Sequence, residues 1–87
     1  MASYELVFKK SVAKDLRNIS KEDVARILKR VEALRENPRG DGCVKLSAQE
    51  RYRVRQGVYR IVYEIRDNEL VVIVVKVAHR SAVYKNS

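Results

Sequence analysis

Residues 51–66 read Arg-Tyr-Arg-Val-Arg-Gln-Gly-Val-Tyr-Arg-Ile-Val-Tyr-Glu-Ile-Arg. Polar and apolar side chains alternate along both halves of this stretch, and a period of two is typical of a strand with one buried face. Gln56-Gly57 lies between the halves and has the composition of a two-residue hairpin turn. The stretch therefore predicts two antiparallel strands whose polar positions are mostly arginine.

A second turn at Asp67-Asn68 predicts a third strand, and counting outward from both turns sets the register. Arg53 then faces Arg60, residue 66 faces residue 69, and residue 60 faces residue 75. One sheet face is apolar and holds Tyr52, Val54, Tyr59, Ile61, Tyr63, Ile65, Leu70, Val72 and Val74. The opposite face holds Arg51, Arg53, Arg55 and Arg60, with His79 beyond the last strand, alongside Val58, Val62, Val71, Ile73 and Val75.

The predicted pairing of Arg53 with Arg60 places two like charges side by side. Such a pair destabilises a sheet by about a few tenths to 1 kcal/mol unless an anion lies between the charges. A solvated basic strand that keeps the protein in solution is the simpler interpretation, but acidic residues serve that purpose as well or better. The clustering on one face therefore favours a phosphate site, because arginine matches phosphate geometry.

The first half of the chain predicts a strand and two helices. Residues 4–8 alternate like a strand, Ser11 is a candidate N-cap for a helix over residues 12–18, and Ser20 is a candidate N-cap for a second helix. Asn37-Pro38 ends that second helix. Its apolar residues recur with helical spacing at Val24, Ile27, Leu28, Val31 and Leu34. The predicted fold is α+β, in the order β-α-α-β-β-β, with an antiparallel sheet, two N-terminal helices packed on one face and a short C-terminal tail.

Composition limits the classes of partner and location. The chain has 87 residues and a net charge of +8, which predicts one domain over residues 1–87 and an acidic partner such as nucleic acid. Cys43 has no second cysteine to pair with, no secretory signal is recognisable, and the apolar run Leu70–Val75 is too short to span a bilayer. We therefore expect a cytoplasmic protein with no membrane association. No group of residues has metal-ligand spacing, and no cofactor is expected.

The polar residues after the last predicted strand are candidates for chemistry. His79 is the only histidine, and its ordinary pKa near neutrality suits general acid or base catalysis. A lone histidine is more often a surface residue. Tyr84 could stack on a base, donate a hydrogen bond or anchor the tail to the core. The sequence alone leaves these alternatives open.

Several short motifs occur in a characteristic order. They are Ala13-Lys14-Asp15-Leu16, Asn37-Pro38-Arg39, Lys45-Leu46, Tyr52-Arg53-Val54-Arg55, Gly57-Val58-Tyr59-Arg60-Ile61-Val62-Tyr63, His79-Arg80 and Val83-Tyr84. Each is weak alone, but together they resemble RelE-type toxins of the RelE/ParE superfamily, the ribosome-dependent mRNA endonucleases of toxin–antitoxin pairs. The resemblance covers nearly the whole chain and implies a compact sheet with two helices across one face.

The resemblance also implies residue roles. Cleavage through a ribose 2′-hydroxyl needs a base, cations to stabilise the pentacoordinate phosphate, and an acid for the leaving oxygen, with no metal. By position the catalytic set is Arg53, Arg55, Arg60, His79, Arg80 and Tyr84, and the RNA-binding set is Lys45, Arg51, Arg53 and Arg55. The best-known relatives have lysines in place of Arg53 and Arg55. Because arginine does not release its proton, acid–base work shifts to His79 or Tyr84.

The resemblance implies partners and leaves two rival functions. A RelB-like antitoxin, the ribosome and mRNA are the expected partners, and toxin and antitoxin would form a hetero-oligomer. The same fold in ParE-type toxins poisons DNA gyrase without cutting RNA, which is the main alternative. The third possibility is a binding module whose basic face holds only an antitoxin.

Overall fold

The computed structural model describes residues 3–46 and 51–81, which form a five-stranded sheet with two helices on one face. The elements are β1 (Glu5–Phe8), α1 (Lys10–Arg17), α2 (Lys21–Ala33), β2 (Val44–Lys45), β3 (Arg51–Gln56), β4 (Tyr59–Arg66) and β5 (Val71–His79). The strand order in the sheet is β1-β5-β4-β3-β2. Helix α1 packs against β5, and α2 packs against β3 and β4.

The α+β class and the packing of two N-terminal helices on one face are confirmed, but the sheet is not wholly antiparallel. β1 runs parallel to β5, with Glu5 opposite Val71 and Phe8 opposite Val74. A short strand that was not predicted, β2, pairs antiparallel with β3. No turn joins β1 to its partner, so turn chemistry carries no information about its direction. The connection from β1 to β5 runs through both helices and through β2, β3 and β4, and its length allows the parallel pairing.

Helix α1 begins earlier than predicted. Its N-cap is Lys9, which makes no side-chain capping bond, and the helix starts at Lys10, so the assignment of Ser11 as N-cap is wrong. The backbone N–H of Lys9 donates to the carbonyl of Val74 at 3.0 Å, which continues the β1–β5 ladder up to the first turn of the helix. The sheet therefore determines where this helix begins, and a capping side chain does not.

Helix α2 begins as predicted and ends early. The hydroxyl of Ser20 accepts a hydrogen bond from the backbone N–H of Asp23 at 3.3 Å, which confirms the N-cap. The helix ends at Ala33 and turns follow, so it stops before Asn37-Pro38. Of the predicted apolar stripe, Ile27, Val31 and Leu34 are buried, Val24 is half-buried and Leu28 is exposed.

The core lies between the helices and the predicted apolar sheet face. Its buried side chains are Val12, Ile27, Val31, Leu34, Tyr52, Val54, Ile61, Tyr63, Ile65, Val72, Val74 and Val77. Tyr63 is fully buried, and its hydroxyl donates to the carbonyl of Pro38 at 2.6 Å. Burial raises the pKa of Tyr63 above its ordinary value, because the core disfavours the phenolate. This bond ties the loop after α2 to the middle of the sheet.

The β3–β4 hairpin turns at Gly57-Val58, one residue later than predicted. Gly57 has a φ of 59°, which suits glycine at the first position of a two-residue turn. Arg60 therefore faces Arg55, Arg53 faces Val62, and the predicted pairing of Arg53 with Arg60 is wrong. Each residue of β3 therefore pairs with a β4 residue two positions beyond the predicted one. Because side chains alternate every second residue, every residue of β3 and β4 keeps its predicted face.

The β4–β5 connection is a four-residue turn over residues 67–70, and Arg66 pairs with Val71. The predicted two-residue turn, in which residue 66 faces residue 69, is therefore wrong. Leu70 lies in the turn with a φ of 53° and is exposed, so its predicted place on the apolar face is also wrong. A longer turn could not be distinguished from a two-residue turn by counting alone.

A β-bulge interrupts the pairing of β4 with β5. Tyr63 pairs with Val74, but its neighbour Val62 pairs with Lys76, which leaves Val75 as an extra residue on β5. Past the bulge the alternation of faces moves by one residue. Arg60 consequently faces Ala78, and the predicted pairing of residue 60 with residue 75 is wrong.

A group of polar side chains, here called the Arg39 clamp, consists of Tyr4, Arg39, Tyr52 and Asp67. The guanidinium of Arg39 donates to both carboxylate oxygens of Asp67, at 3.0 and 2.8 Å, and to the hydroxyl of Tyr52 at 3.0 Å. The hydroxyl of Tyr4 donates to Asp67 at 2.7 Å. These bonds to its charged form lower the pKa of Asp67, and the bond to Asp67 raises the pKa of Tyr4. The clamp joins the residue before β1, strand β3, the loop after α2 and the β4–β5 turn.

Candidate nucleic-acid interface

The sheet face away from the helices, here called the arginine face, holds Arg51, Arg53, Arg55 and Arg60 as the sequence predicts. Alternation along β3 and β4 places these side chains opposite the buried set, and their half-buried or exposed classes agree. No helix among residues 3–46 and 51–81 covers this face. The face is therefore open to a ligand in the described part of the chain.

The end of the arginine face near the β4–β5 turn is electrically balanced. Arg51 donates to Glu64 at 3.0 Å, and Arg66 lies 3.6 Å from Glu64 and 3.9 Å from Glu69. Glu64 is only 19% exposed, so its charge is well placed to offset the arginines beside it. Of the predicted RNA-binding residues, Arg51 is therefore already engaged by a carboxylate.

The other end of the face, near the Gly57-Val58 turn, is not balanced. Arg60 faces Arg55 directly, and directly paired residues of antiparallel strands have Cβ atoms about 5 Å apart. Arg53 on β3 and Lys76 on β5 are its diagonal neighbours, at the typical distance of about 7–8 Å. We call these four side chains the Arg60 cluster. Within residues 3–46 and 51–81 none of the four makes an ion pair with a carboxylate.

Arg60 carries the clearest local evidence for an anion. Its Nε atom is buried and has no hydrogen-bond partner among the described residues. A buried donor without a partner costs about 1–3 kcal/mol, and more when the group is charged. A phosphate bound at Arg60 would offset the repulsion from Arg55, and a turn of the side chain would let a phosphate oxygen reach this donor.

Lys76 belongs to this cluster and was missed by the sequence analysis. Regular alternation through residues 71–77 assigns it to the core face, between Val74 and Ala78. The bulge at Val75 turns it to the arginine face, opposite Val62, where it is exposed. A single lysine at an inward position of an apolar strand was the available indication of a bulge.

His79 does not join the arginine face. It pairs with Tyr59, a residue of the helix-covered face, and the two rings meet edge to face with centroids 5.6 Å apart. The predicted position of His79 beside the arginines is therefore wrong, because the bulge inverts the alternation before residue 79 is reached. It lies at the same end of the sheet as Arg60, on the opposite side.

The ring of His79 is held by Ser81. Its Nδ1 accepts a hydrogen bond from the backbone N–H of Ser81 at 3.0 Å, and the Ser81 hydroxyl lies 2.7 Å from the same atom. A nitrogen that accepts a backbone N–H cannot carry a proton, so the neutral ring bears its proton on Nε2. In this arrangement His79 presents a donor to its surroundings and has no free lone pair for a general base.

The remaining predicted residues occupy three different positions. Arg80 is exposed, and its backbone N–H donates to the carbonyl of Val58 at 2.6 Å, which holds it beside the β3–β4 turn. Lys45 pairs with Tyr52, so it lies on the helix-covered face rather than with the arginines. Tyr84 lies outside the described residues.

The described residues offer few other kinds of site. They contain no group of three His, Cys, Asp or Glu side chains that could hold a metal ion. Across residues 3–46 and 51–81, none of the helices has the length and apolar character needed to cross a bilayer. The Arg60 cluster, whose cations make no ion pair with a carboxylate of the described residues, is therefore the candidate binding site in this part of the chain.

Comparison with known proteins identifies the family. Residues 6–84 match the family model described as ParE toxin of type II toxin–antitoxin system, parDE. The chain belongs to the RelE/ParE superfamily of type II toxin–antitoxin toxins. It is 30% identical over 81 residues to the protein named "Putative toxin RelE1" of Methanocaldococcus jannaschii, covering 88% of this chain and 90% of that protein.

Solved structures share the fold of this superfamily member. The toxin–antitoxin complex RelBE2 of Mycobacterium tuberculosis contains a chain with a TM-score of 0.82 and 24% identity, covering 94% of this chain and 97% of that one. The intact RelBE complex of E. coli contains a chain with a TM-score of 0.77 and 26% identity, covering 88% and 96%. The arrangement of two helices on a mixed sheet is thus shared with toxins whose sequences have diverged widely.

Proposed function

We propose that this toxin is a ribosome-dependent mRNA endonuclease that acts in the cytoplasm and inhibits translation. The observation that carries the proposal is the Arg60 cluster on the open sheet face. Its four cations make no ion pair with a carboxylate of the described residues, and the buried Nε of Arg60 has no hydrogen-bond partner among them. A bound polyanion would offset the clustered positive charge and bring acceptor atoms to the Arg60 guanidinium, because its phosphates supply both. The relatives named RelE support RNA as the target, because RelE-type toxins are the mRNA endonucleases of the superfamily.

The cleavage would proceed by attack of a ribose 2′-oxygen on the adjacent phosphorus. A bond forms between that oxygen and phosphorus, the bond from phosphorus to the 5′-oxygen breaks, and the products are a 2′,3′-cyclic phosphate and a 5′-hydroxyl. Arg53, Arg55 and Arg60 would hold the phosphates and stabilise the extra negative charge of the transition state. Arg80, which lies beside the Gly57-Val58 turn, would contact the scissile phosphate.

Cleavage also requires two proton transfers. The 2′-hydroxyl proton must go to a base, and the 5′-oxygen must receive a proton from an acid. His79 lies at the same end of the sheet as Arg60 but on its other side, and with Nδ1 engaged by Ser81 it can donate a proton only from Nε2. Tyr84 remains the proposed partner in acid–base work, by its position in the family motif.

We also propose that a RelB-like antitoxin binds this chain and blocks the arginine face. The E. coli and M. tuberculosis relatives were solved as complexes with such partners. The net charge of +8 and the unpaired cations fit a partner segment with acidic residues. Toxin and antitoxin would then form an inactive hetero-oligomer.

The alternative function is poisoning of DNA gyrase without RNA cleavage, and the description of the matching family model as a ParE toxin favours it. The test is to induce the protein in growing bacteria and examine both macromolecules. Cuts within ribosome-bound mRNA, mapped by sequencing RNA ends, support the proposed function. Intact mRNA together with trapped gyrase–DNA complexes would refute it.

The chain offers a matched pair of variants for this test. Arg60 and Arg66 lie on the same strand and the same face, but only Arg66 is near carboxylates. Arg60→Ala should abolish most mRNA cleavage, whereas Arg66→Ala should leave it close to wild type. Equal loss in both variants would show that general positive charge matters and the Arg60 cluster does not.

A further inference from the structure

The C-terminal half of β5 is displaced by the bulge at Val75, and this displacement decides which side chains face the arginines. Before the bulge, Val72 and Val74 point into the core; after it, Val77 does so and is 3% exposed. Lys76 is therefore on the arginine face. A regular strand would have directed its ammonium group into the apolar core, at a large desolvation cost.

The bulge is braced by a side chain from α1. The carboxylate of Asp15 accepts a hydrogen bond from the backbone N–H of Val77 at 3.1 Å. β1 ends at Phe8, opposite Val74, so this part of β5 has no strand partner on that side within the described residues. Asp15 takes the place of a strand partner, which holds the end of β5 in its shifted register.

Lys76 lies where it can share an anion with Arg60. Lys76 on β5 and Arg53 on β3 lie on the two neighbouring strands of Arg60, and each is a diagonal neighbour of Arg60. Ala78 faces Arg60 directly on β5, and its small side chain leaves room above the strand. Glu64, the acidic residue of β4 on this face, is engaged with Arg51 and Arg66. Within residues 3–46 and 51–81, Lys76 makes no ion pair with a carboxylate.

We propose that Lys76 is a phosphate-binding residue of the RNA site, placed there by the β-bulge and by Asp15. This inference rests on the proposed function and extends it to a residue outside the quoted family motifs. Lys76 contacts an RNA phosphate on the β5 side of Arg60, while Arg53 and Arg55 contact the backbone on the β3 side. The RNA strand then crosses β3, β4 and β5 at the end of the sheet that holds the Gly57-Val58 turn.

The test measures RNA binding separately from cleavage. Fluorescence anisotropy with a short single-stranded RNA gives affinity as a function of salt for the wild type, Lys76→Ala, Lys76→Arg and Lys21→Ala. Lys21 is an exposed lysine at the start of α2 and serves as the charge-matched control. Loss of one phosphate contact should weaken binding about 3- to 10-fold and reduce the salt slope by about 0.7, as for single strands.

We expect Lys76→Ala to show this loss, Lys76→Arg to retain wild-type affinity, and Lys21→Ala to keep the wild-type slope. Equal affinities and slopes for Lys76→Ala and Lys21→Ala would overturn the proposal, and so would a wild type that does not bind RNA at low salt. Cleavage on mRNA-programmed ribosomes is measured in parallel. If the wild type binds RNA through Lys76 but cuts none, the endonuclease function fails while the phosphate contact stands.

Discussion

Arginine has opposite roles at the two ends of this sheet. In the Arg39 clamp the guanidinium is bonded to Asp67 and to the Tyr52 hydroxyl, and it lies over the Tyr52 ring at 5.3 Å from the centroid. In the Arg60 cluster four cations lie together and none makes an ion pair with a carboxylate of the described residues, and one buried nitrogen has no hydrogen-bond partner among them. The hydrogen bonds and ion pairs of the first arrangement are made within the chain, whereas the second has charges and a donor that the proposed RNA phosphates would neutralise and bind.

The comparison shows how to separate a structural charge from a binding charge. A charge that stabilises the fold is expected to have its partners on the same chain, since an unpaired buried charge destabilises it. A charge kept for a ligand lacks such partners and lowers the stability of the free protein. Removing Arg39 and removing Arg60 should therefore have effects of opposite kinds.

The largest effect is expected for Arg60→Ala. Loss of one donor to the transition state should reduce mRNA cleavage by about 100-fold or more, because such donors typically contribute this much. The midpoint of thermal unfolding should stay the same or rise, since like-charge repulsion is relieved. Single-turnover cleavage on programmed ribosomes and a thermal melt give the two values. A large fall in the melting temperature would instead make Arg60 a structural residue.

Asp15→Ala should have the next largest effect, and it acts at a distance from the arginine face. The backbone N–H of Val77 loses its acceptor, which should reduce the free energy of unfolding by about 1–3 kcal/mol. The end of β5 should loosen, so RNA affinity should fall to the level of Lys76→Ala. The double variant Asp15→Ala/Lys76→Ala tests this: its RNA affinity should equal that of either single variant. Independent, additive losses would argue against the bracing role.

Arg39→Ala should have the opposite effect to Arg60→Ala: it should lower stability and leave cleavage unchanged. The loss of its hydrogen bonds and packing against Tyr52 should reduce the free energy of unfolding by about 1 kcal/mol, measured by chemical denaturation. Cleavage per folded molecule should be unchanged, because the clamp lies at the far end of the sheet from Arg60. A selective loss of cleavage in a stable Arg39→Ala protein would contradict the division of roles.

The smallest effect concerns pH and Asp67. Its folded-state pKa lies below the ordinary value of 3.8, mainly because Arg39 donates to its charged form. The stability it contributes is present above the unfolded-state pKa and is lost as pH falls through the folded-state pKa. Wild type should therefore be more stable than Asp67→Asn at about pH 6, and the difference should shrink below about pH 4. A difference that does not change with pH would mean that the carboxylate charge is not involved.

Sequence reasoning succeeded where a local pattern carried the information. Ser20 was recognised as a cap because its contact with Asp23 lies three residues away in the chain. The faces of β3 and β4 were correct because alternation survives a change of turn. Lys76 was missed and His79 was misplaced because one bulged residue inverts every face that follows it, and the only indication of the bulge in the sequence was Lys76 itself, at an inward position of an apolar strand.

By itself the sequence determined the composition of the two sheet faces on β3 and β4, the start of α2 and the family to which the chain belongs. These depend on period-two alternation, on local capping and on motif order, all of which can be read along the chain. Only the tertiary structure decided the parallel pairing of β1, the pairing of Arg55 with Arg60, and the bulge that places Lys76 on the arginine face and His79 on the opposite one. Each of these depends on a contact between residues far apart in the chain or on the exact length of a turn, and neither is encoded in a local pattern.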